Sequence, residues 1–225
     1  MAIVKKYLAR IVTINTRIEG VYSLEIESLS KPFKYYPGQF LHLTMDEYNP
    51  AEQWPESRCF SMQSNPGEKN IRITYAVKGM FTQKMEQSLK VGSEVWLKLP
   101  YGELFIKPHN KKNTVFIAGG TGITPFLSLF TYATFNSYEN PRIYLGFKSP
   151  SHNIYDGELN NLNIFHKKIF YETKDGPLDI RKIFDENRAD CDYFISGPPL
   201  MLKSFRDYLL TIGVHINSIL TDDWE

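Results

Sequence analysis

Cysteine is scarce in this chain: two thiols, Cys59 and Cys191, in 225 residues, with no CxxC pair and no Cys/His cluster around either. That argues against a zinc site or a protein-bound iron–sulfur centre in this sequence, because both need several ligands at short spacing. One disulfide stays formally possible, but the start reads as no secretion signal. Met1-Ala2-Ile3-Val4-Lys5-Lys6 runs into alternating apolar and polar residues rather than an unbroken apolar core. Free thiols in a reducing cytoplasm are therefore expected. Charge of one sign is lacking too. With 26 basic and 25 acidic side chains, a net charge of +1 supplies no field for nucleic acid or an anionic membrane. No apolar run approaches the roughly 20 residues of a membrane span. The five histidines, His42, His109, His152, His166 and His215, show no ligand spacing, and there is no internal repeat or low-complexity segment.

The length suits two domains of roughly 100 to 120 residues, each able to bury a core. Val21–Ile26, Ile71–Val77 and Val95–Leu99 carry the two-residue period of half-buried strands. Tyr36-Pro37-Gly38-Gln39, Ser64-Asn65-Pro66-Gly67 and Pro100-Tyr101-Gly102 supply turn residues between them. Short strands at this spacing predict an antiparallel β-barrel, with a helix near Thr82–Leu89 ended by Gly92. The polar segment Lys107–Asn113 then breaks the pattern, so domains of 1–107 and 108–225 are expected. Beyond it, strands at Val115–Ala118, Arg142–Phe147, Lys168–Tyr171 and Tyr193–Ser196 alternate with helices after Thr124, near Asp156, near Asp179 and from Leu200. Such alternation predicts an α/β domain with a parallel sheet.

Two segments bear chemistry. Gly119-Gly120-Thr121-Gly122-Ile123-Thr124-Pro125 follows the apolar run Val115–Ala118 and precedes Phe126–Phe130, which reads as buried strand, glycine turn and helix start. That arrangement binds pyrophosphate: glycines let backbone approach the ligand, and the helix's free N–H groups stabilise its charge. Pro125 fits an early helical position. The other segment is Arg58-Cys59-Phe60-Ser61. Arg58 offers a planar charged fork suited to phosphate oxygens, Phe60 a ring to lie against an aromatic system, and Ser61 a hydroxyl for a ring nitrogen. Four residues alone leave the plainer alternative open: a strand-end salt bridge, a core phenylalanine and an exposed serine.

As an ordered set, these segments resemble the ferredoxin-NADP reductase family across essentially the full chain. Tyr36-Pro37-Gly38-Gln39-Phe40 is similar to the family's PGQF/Y turn. Arg58–Ser64 is similar to its RxYS signature, with Phe60 in place of the commoner tyrosine. Tyr75-Ala76-Val77-Lys78-Gly79-Met80-Phe81-Thr82 resembles the second flavin segment, Gly119–Pro125 the nicotinamide-dinucleotide segment, Ser196-Gly197-Pro198 the late CGP motif, and Asp222-Asp223-Trp224 the acidic C-terminus.

The resemblance implies a Greek-key barrel holding FAD, followed by an NAD(P)-binding domain. Arg58 would take FAD phosphate, Phe60 would pack on the flavin, and Ser61 would hydrogen-bond near its N5. Thr82 with the amides of Gly79, Met80 and Phe81 would complete the phosphate site; a plain turn and helix cap is the alternative there. Thr124 would lie between the two cofactors. Ser196 stands where many members carry cysteine, so slower hydride transfer is expected; Asp222 stands where glutamate is usual, one methylene shorter for any proton relay or partner contact through it. Trp224 would cover the flavin or pack on the barrel. For the adenosine 2′ position, Lys148, Thr173 and Lys174 lean towards NADPH over NADH, with Glu172 opposing. The implied activity passes hydride from NAD(P)H to bound FAD and electrons to a separate protein: ferredoxin, flavodoxin or an oxygenase component. The alternatives are an NAD(P)H:flavin reductase using flavin as substrate, and a non-catalytic dinucleotide-binding regulatory subunit. A cytoplasmic monomer is expected.

Overall fold

Along the strand β1 (Lys5–Ile18), Tyr7, Ala9 and Ile11 are buried while their neighbours face outward, the two-residue period of a half-covered sheet. The computed structural model describes residues 3–222 apart from 163 and 189. The strand is shared. Residues 5–10 pair with β6 (Glu94–Tyr101), and residues from Ala9 onward pair with β2 (Val21–Ser28), with register shifts after Ile11 and Thr16. β3 (Phe40–Thr44), β4 (Arg58–Ser61) and β5 (Ile71–Ala76) complete a six-stranded antiparallel sheet in the order β4-β3-β6-β1-β2-β5. Its two ends approach each other where the Gln63 amide donates to the Arg72 carbonyl at 2.8 Å, so the sheet nearly closes into the expected barrel. The helix α1 (Met80–Ser88) turns Phe81 and Met85 into the barrel core. Each such side chain contributes roughly 1.5–3 kcal/mol by leaving water.

The second sheet is parallel: β7 (Thr114–Gly119), β8 (Arg142–Phe147), β9 (His166–Tyr171), β10 (Asp192–Ser196) and β11 (Ile219–Thr221), in the order β11-β10-β7-β8-β9. Its central strands read as unbroken apolar runs because both faces are covered. Val115, Ile117, Tyr193 and Ile195 share a cluster with Ile183 and Phe205, from α5 (Ile180–Asn187) and α6 (Pro199–Thr211). Phe116 and Phe194, on the other face, stack 5.3 Å apart beside Phe105 and Phe126. Three shorter helices, α2 (Thr124–Phe130), α3 (Asp156–Asn160) and α4 (Glu172–Asp175), follow β7, β8 and β9.

The chain forms two compact units, one up to Glu103 together with Leu127–Tyr132, the other Leu104–Phe126 and the residues from Ala133. In the second, the chain runs outward from β7 to β8 and β9, then returns to lay β10 on the opposite side of β7. The strand ends at that reversal, Gly119 and Ser196, are where open parallel sheets bind ligands. Among the described residues no helix is long and apolar enough to cross a membrane, and no cluster of metal-ligating side chains occurs.

Candidate functional site

In the first unit, β4 brings Arg58 to the start of α1. Its guanidinium carbon lies 5.1 Å from the Phe81 ring, within cation–π range. The plainer alternative is also realised in part. Arg58 Nη2 is 3.0 Å from Glu56 Oε1, Nη1 donates to the Ser57 carbonyl at 2.9 Å, and Phe60 is a core residue, edge-on to Tyr75 at 5.9 Å. Ser61 departs from it by being buried rather than exposed. Tyr75 in turn stacks on Tyr22 at 5.6 Å, and burial pushes its hydroxyl pKa up. Val77, the last apolar residue before the turn, donates its amide to the Gly20 carbonyl at 2.8 Å.

The turn into α1 is built differently from a simple threonine cap. Gly79 is the N-cap, and Thr82 stands in the first turn, reaching back. Its Oγ1 accepts from the amides of Lys78 (2.9 Å) and Gly79 (3.1 Å) and donates to the Gly79 carbonyl (3.0 Å). The Thr82 hydroxyl therefore shapes the loop, its proton already committed. The amides of Met80, Phe81 and Thr82 have no carbonyl a turn earlier to donate to. The helix start is open, with Met80 87 % exposed and no atom within 4 Å of a Cβ built on Gly79, and Arg58 lies against the Phe81 ring of the same turn. An open amide end next to a cation fits a phosphate.

Cys59 points the other way from Arg58. Its Sγ lies 3.6 and 3.7 Å from the two ring nitrogens of His42, and His42 stands edge-on to Tyr101 at 4.7 Å. Burial raises the Cys59 thiol pKa against the pull of Arg58; burial and then Lys98 hold His42 below its ordinary value. Both shifts favour the neutral forms over a thiolate–imidazolium pair.

In the second unit, the glycines have two separate reasons. A Cβ on Gly122 would sit 2.6 Å from Gly197 N and Cα and from the Ser196 carbonyl oxygen, so Gly122 is required by backbone packing between the two turns. Gly119 is likewise roofed by Pro198 and Met201. Gly120 has φ +55° and open space around it, so its backbone is where a ligand can approach. Thr121 and Ile123 complete a 3-10 turn, and the Thr124 hydroxyl donates to the Thr121 carbonyl at 3.0 Å, leading through Pro125 into α2.

Beside this turn, Ser196 is buried and donates to Asp222 Oδ2 at 3.1 Å. The register explains the encounter: β10 and β11 pair Ile195 with Thr221, so the next residues of each strand are neighbours. At the ends of β8 and β9, Lys148, Thr173 and Lys174 are exposed, and the Thr173 amide donates to the Lys148 carbonyl at 3.1 Å. Ser149 Oγ meets Ser151 Oγ at 2.8 Å and His152 Nδ1 at 2.7 Å in the same loop. Trp224 lies outside the described residues.

Residues 116–207 match the family model of the oxidoreductase NAD-binding domain. The reductase component of propane 2-monooxygenase from Rhodococcus jostii is 29 % identical, over 95 % of this chain and 62 % of that protein. The ferredoxin--NAD(P)(+) reductase component of the naphthalene 1,2-dioxygenase system of Pseudomonas putida is 26 % identical, over 94 % and 67 %. Among solved structures, a ferredoxin NADP+ reductase from Neisseria gonorrhoeae with bound FAD and NADP superposes with a TM-score of 0.76 at 19 % identity, covering 98 % of each chain. The chain is thus similar to ferredoxin-NADP reductase-like proteins along its length, and its residues 116–207 match the oxidoreductase NAD-binding domain. It spans about three fifths of the length of the Rhodococcus jostii relative. Two features of this chain lie beyond the motifs. The Glu56 contact to Arg58 joins residues two apart on a bend, which no periodicity flags. The Ser196–Asp222 bond joins two motifs that the sequence shows only separately, although both end apolar strands.

Proposed function

We propose that this chain is an NAD(P)H-dependent flavoprotein reductase that holds FAD and delivers electrons to a separate protein acceptor. The observation that carries the reading is the Arg58 guanidinium 5.1 Å from the Phe81 ring, a permanent cation beside the open amide end of α1. When bound, FAD accepts a hydride from a reduced nicotinamide and yields electrons singly or in pairs. Arg58 and the amides of Met80, Phe81 and Thr82 would neutralise its phosphates, with Thr82 Oγ1 fixing the Lys78–Gly79 backbone. Ser61 would offer a hydroxyl to the ring system, in a buried position that excludes water. In the second unit, the backbone of Gly120 would admit the nicotinamide dinucleotide's pyrophosphate. Asp222 keeps the Ser196 proton directed along one line, which leaves the Oγ lone pairs for a nicotinamide group.

At the ends of β8 and β9, Lys148, Thr173 and Lys174 suit a 2′-phosphate, which favours NADPH, although Glu172 adjoins them. The relatives are named as reductase components of monooxygenase and dioxygenase systems. This supports an oxygenase component, a ferredoxin or a flavodoxin as the acceptor. We place the chain in the cytoplasm as a monomer. Purification tests the reading: a yellow protein carrying one FAD through gel filtration and bleached by NADPH is expected, whereas a colourless chain that takes up no FAD contradicts it.

A further inference from the structure

Arg58 is engaged on two sides. Nη2 meets Glu56 Oε1 at 3.0 Å and Nη1 the Ser57 carbonyl at 2.9 Å, and both Arg58 and Glu56 are more than half exposed. A phosphate reaching the amide end of α1 must either draw the guanidinium away from Glu56 or share it. In the first case an ion pair is lost; in the second the carboxylate stays beside the phosphate and repels it. Both oppose retention of the anion, and neither touches the flavin ring.

We propose that Glu56 is an affinity-setting competitor for Arg58, which limits how tightly phosphate-bearing flavins are kept. The proposal rests on the flavin reading above. An exposed pair of this kind is worth up to about fivefold, and removal of the repulsion adds to it, so Glu56→Gln tightens FAD binding about three- to tenfold. Riboflavin has the ring and no phosphate, so its affinity is unchanged. At about 1 M salt, where the Debye length falls to ~3 Å, the difference between wild type and variant shrinks to less than twofold.

The experiment titrates the flavin-depleted full chain, wild type and Glu56→Gln, with FAD and with riboflavin, following flavin fluorescence at low and high salt. Glu56→Ser serves as a second variant, since it removes the charge by a different shape. Tighter FAD binding in both variants, with riboflavin unaffected, supports the proposal. If wild type binds FAD and the variants bind it equally or more weakly, or if riboflavin gains as much as FAD, Glu56 has no such role and the flavin reading stands. If no protein binds either flavin, the flavin reading fails and this proposal with it.

Discussion

Gly122→Ala is the substitution whose cost the structure defines best. The added Cβ would lie 2.6 Å from three atoms, Gly197 N, Gly197 Cα and the Ser196 carbonyl oxygen. All three are backbone, so no rotamer change relieves the contact, and the two turns must part by most of an ångström to reach ordinary van der Waals distance. Overpacking of this kind costs about 1–3 kcal/mol. For a unit of this size that lowers Tm by about 4–12 °C. Gly120→Ala and Gly79→Ala are the controls. The first meets nothing within 4 Å but has φ +55°, which costs about 1–2 kcal/mol through the left-handed backbone. The second meets nothing within 4 Å at an extended backbone, and costs a few tenths of a kcal/mol to about 1 as a cap change. Differential scanning calorimetry should place Gly122→Ala lowest, or level with Gly120→Ala, and Gly79→Ala nearest wild type. Nucleotide affinity should fall in Gly122→Ala even well below its Tm, since the turn itself has moved. A Gly122→Ala protein as stable as Gly79→Ala would refute the close approach of the two turns.

Arg58→Met should raise the FAD Kd about 10- to 100-fold, the worth of one charge-assisted hydrogen bond, with Tm almost unchanged because an exposed ion pair contributes little; equal loss for riboflavin would contradict a phosphate role. Thr82→Ala removes the acceptor for two amides and should cost about 1 kcal/mol of stability, measured by urea unfolding. Asp222→Asn should leave FAD retention intact and slow bleaching by NADPH about tenfold; an unchanged rate would remove the Ser196–Asp222 bond from the reaction. His42, held below its ordinary value of 6.5 by burial, binds its proton more readily in the unfolded chain. Its contribution is therefore present above pH 6.5 and lost as pH falls towards the lowered native value, so His42→Gln should flatten that part of the stability profile, and an identical profile would show that the ring is not desolvated.

Where both faces of a strand are covered, the sequence and the structure agree closely: the apolar run Arg142–Phe147 is β8 to the residue. The barrel strands expected from alternation at Ile71–Val77 and Val95–Leu99 are observed as Ile71–Ala76 and Glu94–Tyr101. β1 is harder to read, since its alternation is broken by Asn15, Thr16 and Arg17, and its last residues are held by β2 alone. β11, at three residues, exists through its pairing with β10, and α4 is a single turn. In the candidate site, residue types announced a phosphate cradle and a glycine turn, but not the connections. That Thr82 reaches back from the first turn, that Gly122 serves Gly197 and that Glu56 holds Arg58 are distances, and distances come from the fold.

The central claim, that hydride passes from a nicotinamide to a flavin held by this chain, is tested most directly by anaerobic stopped-flow mixing of the purified protein with NADPH and, separately, NADH, following the visible flavin band. Rapid bleaching is expected, faster with NADPH. A yellow protein inert to both nucleotides would contradict the account.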